Sequence, residues 1–250
     1  MEILKFKLSG KTAFFKQPDV NTYLYFSYGQ IHKVALLGLL GAVKGYGGYN
    51  SASNKLQLKG DARGELPSLP EFYTKLSCLN ISVEPLAKGG VFNKKTQVFN
   101  NSVGYASREQ GGNLIVKEQW LEDVAWNIYI LLDNEESKKV AEQIQSGSCM
   151  YMPYLGKTDH VADISEVELL KGTEIKGGST VVINSLVPKT DIEEMQGAIG
   201  LKYRYVEKLP ARLNSASRMY ELENYIYTNA EVKVKNESVY SVNNKYIAFY

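Results

Sequence analysis

With 250 residues the chain can bury a substantial core as one large domain or two small ones, and its composition, 44% hydrophobic and 22% charged, is that of a globular protein. Cys78 and Cys149 are too few for a disulfide framework and sit in no CxxC or Cys/His cluster. MEILKFKLSG has no apolar signal core, and ALLGLLGAV is too short and glycine-rich to span a bilayer, so a cytoplasmic protein with reduced thiols is expected.

The net charge of +2 hides an asymmetry. Residues 1–59 carry eight lysines against two acids, residues 88–117 five bases against one acid, and residues 118–174 twelve acids against four lysines, which predicts basic and acidic faces.

Ile3, Leu4, Phe6 and Leu8, with Lys5 and Lys7 between them, predict a first strand with one apolar and one basic face. Ser9 and Gly10 are expected to break it, with strand resuming from Thr12 to Lys16. After a polar turn around Pro18, Tyr23, Tyr25 and Phe26 lead through Gly29 into QIHKVALLGLLGAVKGYGGYN. There Val34, Leu37, Gly38, Gly41, Ala42 and Gly45 recur three or four apart, the spacing of a helix whose small face packs close to a sheet. Gly45, Gly47 and Gly48 end it, with backbone amides expected to stay free. The same glycines fit neither GxxxxGK[ST] nor GxGxxG, so no nucleotide cofactor is expected.

Residues 51–70 read as loop, 70–79 as a short helix and Ile81 to Pro85 as a strand. Residues 87–112 are basic, rich in asparagine and glycine, and interleaved with Phe92, Phe99 and Tyr105. A plain loop has little use for aromatic residues between lysines, so a projecting, partner-binding hairpin is predicted. Asn113 to Leu132 resume as strands with Trp126, Ile128, Ile130 and Leu132 on one face. Asn134 caps a helix to about Ser146 that buries Val140, Ala141 and Ile144. Met150 to Leu155 reads as strand and runs into Gly156 to His160. Further strands are expected at 161–175, 179–187, 201–209 (closed by Pro210), 225–227, 232–235 and 246–249. The order β-α-β, hairpin, β, α-β with extra strands predicts an α+β chain with a ferredoxin-like or RRM-like core over 1–187 and a β-rich extension over 188–250.

The chemistry on offer is limited. Eighteen tyrosines suit a surface that stacks and hydrogen-bonds, and equally suit half-buried strand positions. Two histidines with Asp159 or Asp163 have no recognised metal spacing, and no serine or cysteine triad is visible. Metal-independent RNA cleavage needs only a base for the 2′-hydroxyl and a cation for the phosphate, which His32 with Lys33, His160 with Lys157, or Tyr25 could supply. The preferred reading is that such groups contact phosphate or stack on a base.

The segments AFFKQP, YFSYGQIHKVALLGLLGAVKG, NNSVGY, PYLGKTDHVADI, KYRYVEKLP and YIYTNAEV, in that order over most of the chain, resemble the Cas-five family of CRISPR-associated proteins in the RAMP superfamily, most closely subtype I-B. The resemblance implies an RRM-type fold with a β-hairpin thumb at about 87–112. It also implies a role: holding the 5′ handle of the CRISPR RNA at one end of the type I surveillance complex, Cascade, beside its large subunit and first backbone subunit. Target DNA would be read by guide pairing, with no membrane involved.

Candidate RNA contacts are Lys16, Tyr25, His32 and Lys33 at the helix entry, Lys94, Lys95, Asn101, Tyr105 and Arg108 on the thumb, and Gly156, Lys157 and His160 in the second glycine turn. The glycine-rich helix and the loop from Tyr154 to His160 would line the handle site. One branch of the family cuts precursor RNA with a tyrosine and an adjacent Lys-His pair. This sequence has no Lys-His dipeptide, so a non-catalytic subunit is expected, with an endoribonuclease of the same fold and a protein-only scaffold as the alternatives.

Overall fold

In the computed structural model, which describes residues 1–19, 22–51, 68–101, 108, 114–194, 200 and 202–250, the first apolar alternation forms one unbroken strand, β1 (Glu2–Ala13). Ser9 and Gly10 do not interrupt it. They stay paired with Ala125 and Val124 of β4 (Leu114–Leu131), and Gly10 serves a close approach: a Cβ there would meet Leu155 at 2.7 Å and the Val161 carbonyl oxygen at 2.9 Å. The strand expected to reach Lys16 stops at Ala13. Phe14 instead donates to the Leu155 carbonyl at 3.0 Å, and residues 15–17 pair with residues 26–28 around an isolated bridge between Lys16 and Ser27.

The central sheet runs β2 (Ile81–Pro85), β4, β1, β5 (Asp163–Lys171), all antiparallel. In chain order its four core strands lie second, third, first, fourth. Helices α1 (Lys33–Lys44) and α2 (Glu71–Leu76) fall between the first two strands, and α3 (Glu135–Gln145) between the last two. This is the βαββαβ ferredoxin-like arrangement that the sequence order predicts. The α3 start follows its sequence signal, with Asn134 and Ser137 closing a reciprocal capping box and Val140, Ala141 and Ile144 buried.

Alternation explains both faces of the sheet. Leu4, Phe6 and Leu8 of β1, with Trp126, Ile128 and Ile130 of β4, pack on the helices. Ile3, Tyr129 and Leu131 point the other way and are covered by Tyr240 and Val242 of β13 (Val239–Val242), Ile247 of β14 (Lys245–Ala248) and Phe249 just after it. The basic side of β1 is not a free surface. Lys5 and Lys7 reach Glu168 and Glu166 of β5 at 3.3 and 3.0 Å, so part of the expected charge asymmetry is cancelled between neighbouring strands.

Helix α1 is buried nearly all round, through Val34, Leu36, Leu37, Leu39, Leu40 and Val43. Its small residues do not face the sheet as expected. Gly38 and Gly41 face Phe72 of α2, and a Cβ on Gly41 would overlap the Phe72 side chain. Glycine here permits a helix–helix crossing, while the leucines are buried in the main core.

The predicted hairpin is present as β3 (Asn93–Asn101) paired with the first half of β4, with Lys95 opposite Trp120, Gln97 opposite Glu118 and Phe99 opposite Val116. The second half of β4 pairs with β2, so one 18-residue strand belongs to both hairpin and sheet.

Behind β5, three small antiparallel sheets follow. The first joins β10 (Arg204–Leu213), β11 (Tyr220–Thr228) and β8 (Val187–Pro188). The second joins β7 (Thr180–Val181), β12 (Val232–Val234) and β9 (Ile192–Glu194), and the third joins β14, β13 and β6 (Thr173–Glu174). Strands before residue 188 therefore pair with strands after it. Pro210 does not close β10, because the register shifts between Pro210 and Arg212 and the bulge tolerates the missing N–H. Met150 to Leu155 is not a strand. Met150 and Tyr151 donate to the Val43 and Ala42 carbonyls at the end of α1, at 3.0 and 3.1 Å. No helix among the described residues is long and apolar enough to cross a membrane.

Candidate nucleic-acid interface

The two histidine and lysine neighbourhoods singled out in the sequence are built differently. At the entry to α1, His32 is the N-cap: its backbone is extended, and its Nδ1 accepts the Ala35 N–H at 3.2 Å. The ring is buried among Phe15, Tyr28 and Tyr220, all edge-on within 6.1 Å. Burial holds the imidazole down at about 3, so it is neutral.

Lys33 does not join it. Successive helix residues point about 100° apart, and Lys33 enters a separate 260 Å³ cavity beside Tyr73, Tyr225 and Tyr250. There Nζ donates to the Tyr250 main-chain oxygen at 2.8 Å, and burial lowers the ammonium to about 8.

The second neighbourhood lies under the hairpin. Gly156 has φ 91°, and a Cβ there would collide with the Phe14 carbonyl oxygen, so only glycine fits. Lys157 follows with Nζ 3.1 and 3.0 Å from the two carboxylate oxygens of Glu118, which also accepts the Trp120 Nε1–H at 2.8 Å. The ammonium lies 5.2 Å from the Phe99 ring and 5.8 Å from that of Phe14. His160 is buried, with Nδ1 2.6 Å from Thr12 Oγ1 and its ring edge-on to Trp120 at 4.5 Å. Burial, and secondarily the Lys157 charge, lowers its pKa.

Between α1, the base of the hairpin and the 151–157 segment lies a cleft of about 870 Å³. It gathers five sequence-predicted residues, Lys16, Tyr25, His32, Gly156 and Lys157, into one site. Tyr25 is held there by its backbone, which receives the Gln119 N–H and donates to Lys117, both at 2.9 Å, on the edge of β4 away from β3, while residues 26–28 pair with residues 15–17. Lys16 Nζ sits 4.1 Å over the Tyr25 ring.

Eight further aromatic residues line it, Phe14, Phe15, Tyr46, Tyr49, Phe72, Tyr151, Tyr154 and Tyr220, alongside the small and aliphatic face of α1 and the carboxylate of Glu118. Tyr49, Tyr151 and Tyr154 are 50%, 60% and 42% exposed, so their rings are available at the mouth. Tyr49 is half-exposed, packs edge-on against Phe72 at 5.7 Å, and partial desolvation there pushes its hydroxyl up to about 12. Gly47 and Gly48 contribute backbone to the wall, but two of the three amides expected to stay free, those of Gly45 and Gly47, are bonded within the chain. The Gly45 amide bonds Ala42, and the Gly47 amide bonds Glu71 at 2.9 Å.

The other predicted contacts lie outside this cleft. Lys94 and Arg108 are exposed on the hairpin side, while Lys95 pairs with Glu122 at 3.4 Å and lies 5.6 Å from the Trp120 ring. Asn101 ends β3 opposite Leu114, and Tyr105 is outside the described residues. Lys33 and His160 are in the separate surroundings given above. Sequence reasoning missed Glu118 and Trp120, and also the cleft tyrosines at 46, 49, 151 and 220. The only local signal was tyrosine recurring beside the glycines that end α1. Among the described residues no group of three or more His, Cys, Asp or Glu could hold a metal ion.

No protein-family model matches the sequence, and no curated protein does. Among solved structures, the fold is similar to that of a chain in a CRISPR RNA-guided surveillance complex, with TM-score 0.51 and 14% identity over 92% of this chain and 91% of that one. It is also similar to a CRISPR protein from Archaeoglobus fulgidus, with TM-score 0.51 and 11% identity over 99% of this chain and 98% of that one. At these identities the likeness is one of fold.

Proposed function

We propose that the chain is a non-catalytic, single-stranded-RNA-binding subunit of a CRISPR surveillance complex of the Cascade type. In this reading it holds the 5′ handle of the CRISPR RNA beside the large subunit and the first backbone subunit. The observation that carries the reading is the aromatic cleft at the root of the hairpin. Unstacked bases have two apolar faces and a polar edge, and a wall of tyrosines offers both a stacking surface and hydroxyls; each stacked base is worth about 1–3 kcal/mol. A duplex, whose bases are already stacked, gains nothing from such a wall. The near full-length fold likeness to CRISPR proteins supports the biological setting, and the sequence segments quoted above support the handle.

The histidines support a binding role over cleavage. A general base is most effective with a pKa near the working pH, and His32 at about 3 is far too weak a base, with one lone pair already spent on the helix cap. His160 is buried on Thr12 and Trp120.

The test is to isolate the tagged chain with its native partners and sequence the RNA that accompanies it, then to measure binding of that RNA by fluorescence anisotropy. The expected result is a constant repeat-derived 5′ end and at least about tenfold preference for the single strand over a duplex of the same length. Heterogeneous RNA, or equal binding of duplex, overturns the handle reading, and metal-free cleavage of the repeat RNA overturns the non-catalytic one.

A further inference from the structure

Lys157 is the residue that sequence reasoning places on a phosphate, yet its ammonium is already engaged. Both Glu118 carboxylate oxygens lie within 3.1 Å of Nζ, and the Glu118 side chain is only 8% exposed. The two residues come from different bodies of the fold. Glu118 stands in the hairpin half of β4, opposite Gln97 of β3. Lys157 stands in a turn that Gly156 presses against the Phe14 carbonyl at the end of β1. The ammonium also lies near one ring from each body, Phe99 of the hairpin and Phe14 of the core.

The pair is the last link of a chain of contacts. Thr12 of β1 holds His160, His160 packs on Trp120, Trp120 donates to Glu118, and Glu118 holds Lys157. Handing Lys157 to a phosphate would leave a buried carboxylate with only the neutral indole N–H, the situation in which breaking an ion pair costs most.

We propose that Glu118 and Lys157 form a pin that fixes the hairpin over the cleft, so that Lys157 is a positioning residue rather than a phosphate contact. Its effect on RNA rests on the binding reading above; the pin itself does not. Salt dependence separates the two roles, because a lysine that neutralises a phosphate contributes to the slope of log affinity against log salt, and a lysine that holds a strand does not.

The test uses the full chain, a fluorescein-labelled single-stranded RNA carrying the 5′ handle sequence, and a salt titration. K157Q and E118Q are each expected to weaken binding about tenfold with the slope unchanged, since both break a largely buried pair. The double variant K157Q/E118Q is expected to bind no worse than either single one, because two amides restore a neutral contact and the amide oxygen that replaces the Glu118 carboxylate still accepts from Trp120. Lys157 is instead a phosphate ligand if K157Q flattens the slope by about 0.7, or if E118Q tightens binding by unmasking the lysine.

A second arm needs no RNA. Amide hydrogen exchange across Asn93–Asn101 is expected to accelerate in each single variant and to recover in the double, and unchanged exchange in the single variants overturns the pin. A wild-type chain that binds no RNA but passes this arm would refute only the binding reading.

Discussion

At the entry to α1 and in the turn before β5 the chain brings together the same two side chains, a histidine and a lysine, next to glycine and aromatic residues. In both places the histidine is buried and kept neutral by its surroundings. The lysines part ways. Lys33 leaves the cleft because a helix separates neighbours by about 100°, and it ends on a main-chain oxygen in a second cavity. Lys157 stays at the cleft because a left-handed glycine turns the chain back, and it ends on a carboxylate of the hairpin. The lesson is that a His/Lys neighbourhood in sequence specifies no chemistry until the local backbone is known: helix geometry splits the pair, and turn geometry binds it into a network.

The sharpest way to break this contrast is at the turn. Gly156→Ala forces a left-handed backbone on an L-residue and drives its Cβ into the Phe14 carbonyl. About 3 kcal/mol of stability should be lost, read as a lower urea midpoint at unchanged m-value. Retention of wild-type stability would mean that the turn re-forms in another shape and that the network does not depend on it.

The helix entry should respond to acid instead. His32 sits at about 3 in the folded chain, well below the ordinary histidine value of 6.5. Its neutral form is favoured by folding, so its contribution is complete above about pH 6.5 and is lost as pH falls toward about 3, because the unfolded chain binds the proton first. Between about pH 8 and pH 5 this amounts to about 2 kcal/mol. His32→Asn keeps an N-cap acceptor without the titration, so the difference between its stability curve and that of the wild type should show this slope. Parallel curves would place the imidazole in a wetter site than the surrounding rings describe. His160 shifts in the same direction through its own burial, so the acid response belongs to both neighbourhoods even though their lysines differ.

Much of this architecture is legible in the residues. The alternation around Trp126, Ile128 and Ile130 marks the second half of β4, Asn134 marks the start of α3, and Gly45 marks the end of α1; each is a local signal acting through local geometry. What is not legible depends on partners far away in sequence. Gly38 and Gly41 look the same whether a sheet or Phe72 lies opposite, and the lysines of β1 look free until β5 arrives with Glu166 and Glu168. Glu118 lies 39 residues before Lys157, so a lysine read as a phosphate ligand carried no hint of its carboxylate. The cleft had a partial signal in its tyrosines, but tyrosine also fills the core, as Tyr28, Tyr129 and Tyr225 do here. Only the fold sorts the two uses.

The smallest expected effect separates lysines that look alike in composition. Lys16 lines the cleft over Tyr25, whereas Lys33 lies in the other cavity. In the RNA titration, Lys16→Gln should weaken binding a few-fold and flatten the salt slope by about 0.7, the share of one phosphate on a single strand. Lys33→Gln should leave both affinity and slope unchanged. Lys33 has a signature of its own: with its ammonium lowered to about 8, it should react with an amine-directed acylating reagent at mildly alkaline pH where surface lysines remain protonated. Peptide mapping of the labelled chain reads this directly. A salt slope flattened in Lys33→Gln as much as in Lys16→Gln would return Lys33 to the nucleic-acid surface, and labelling no faster than that of exposed Lys94 would mean either that the ammonium is not lowered or that its cavity is closed to the reagent.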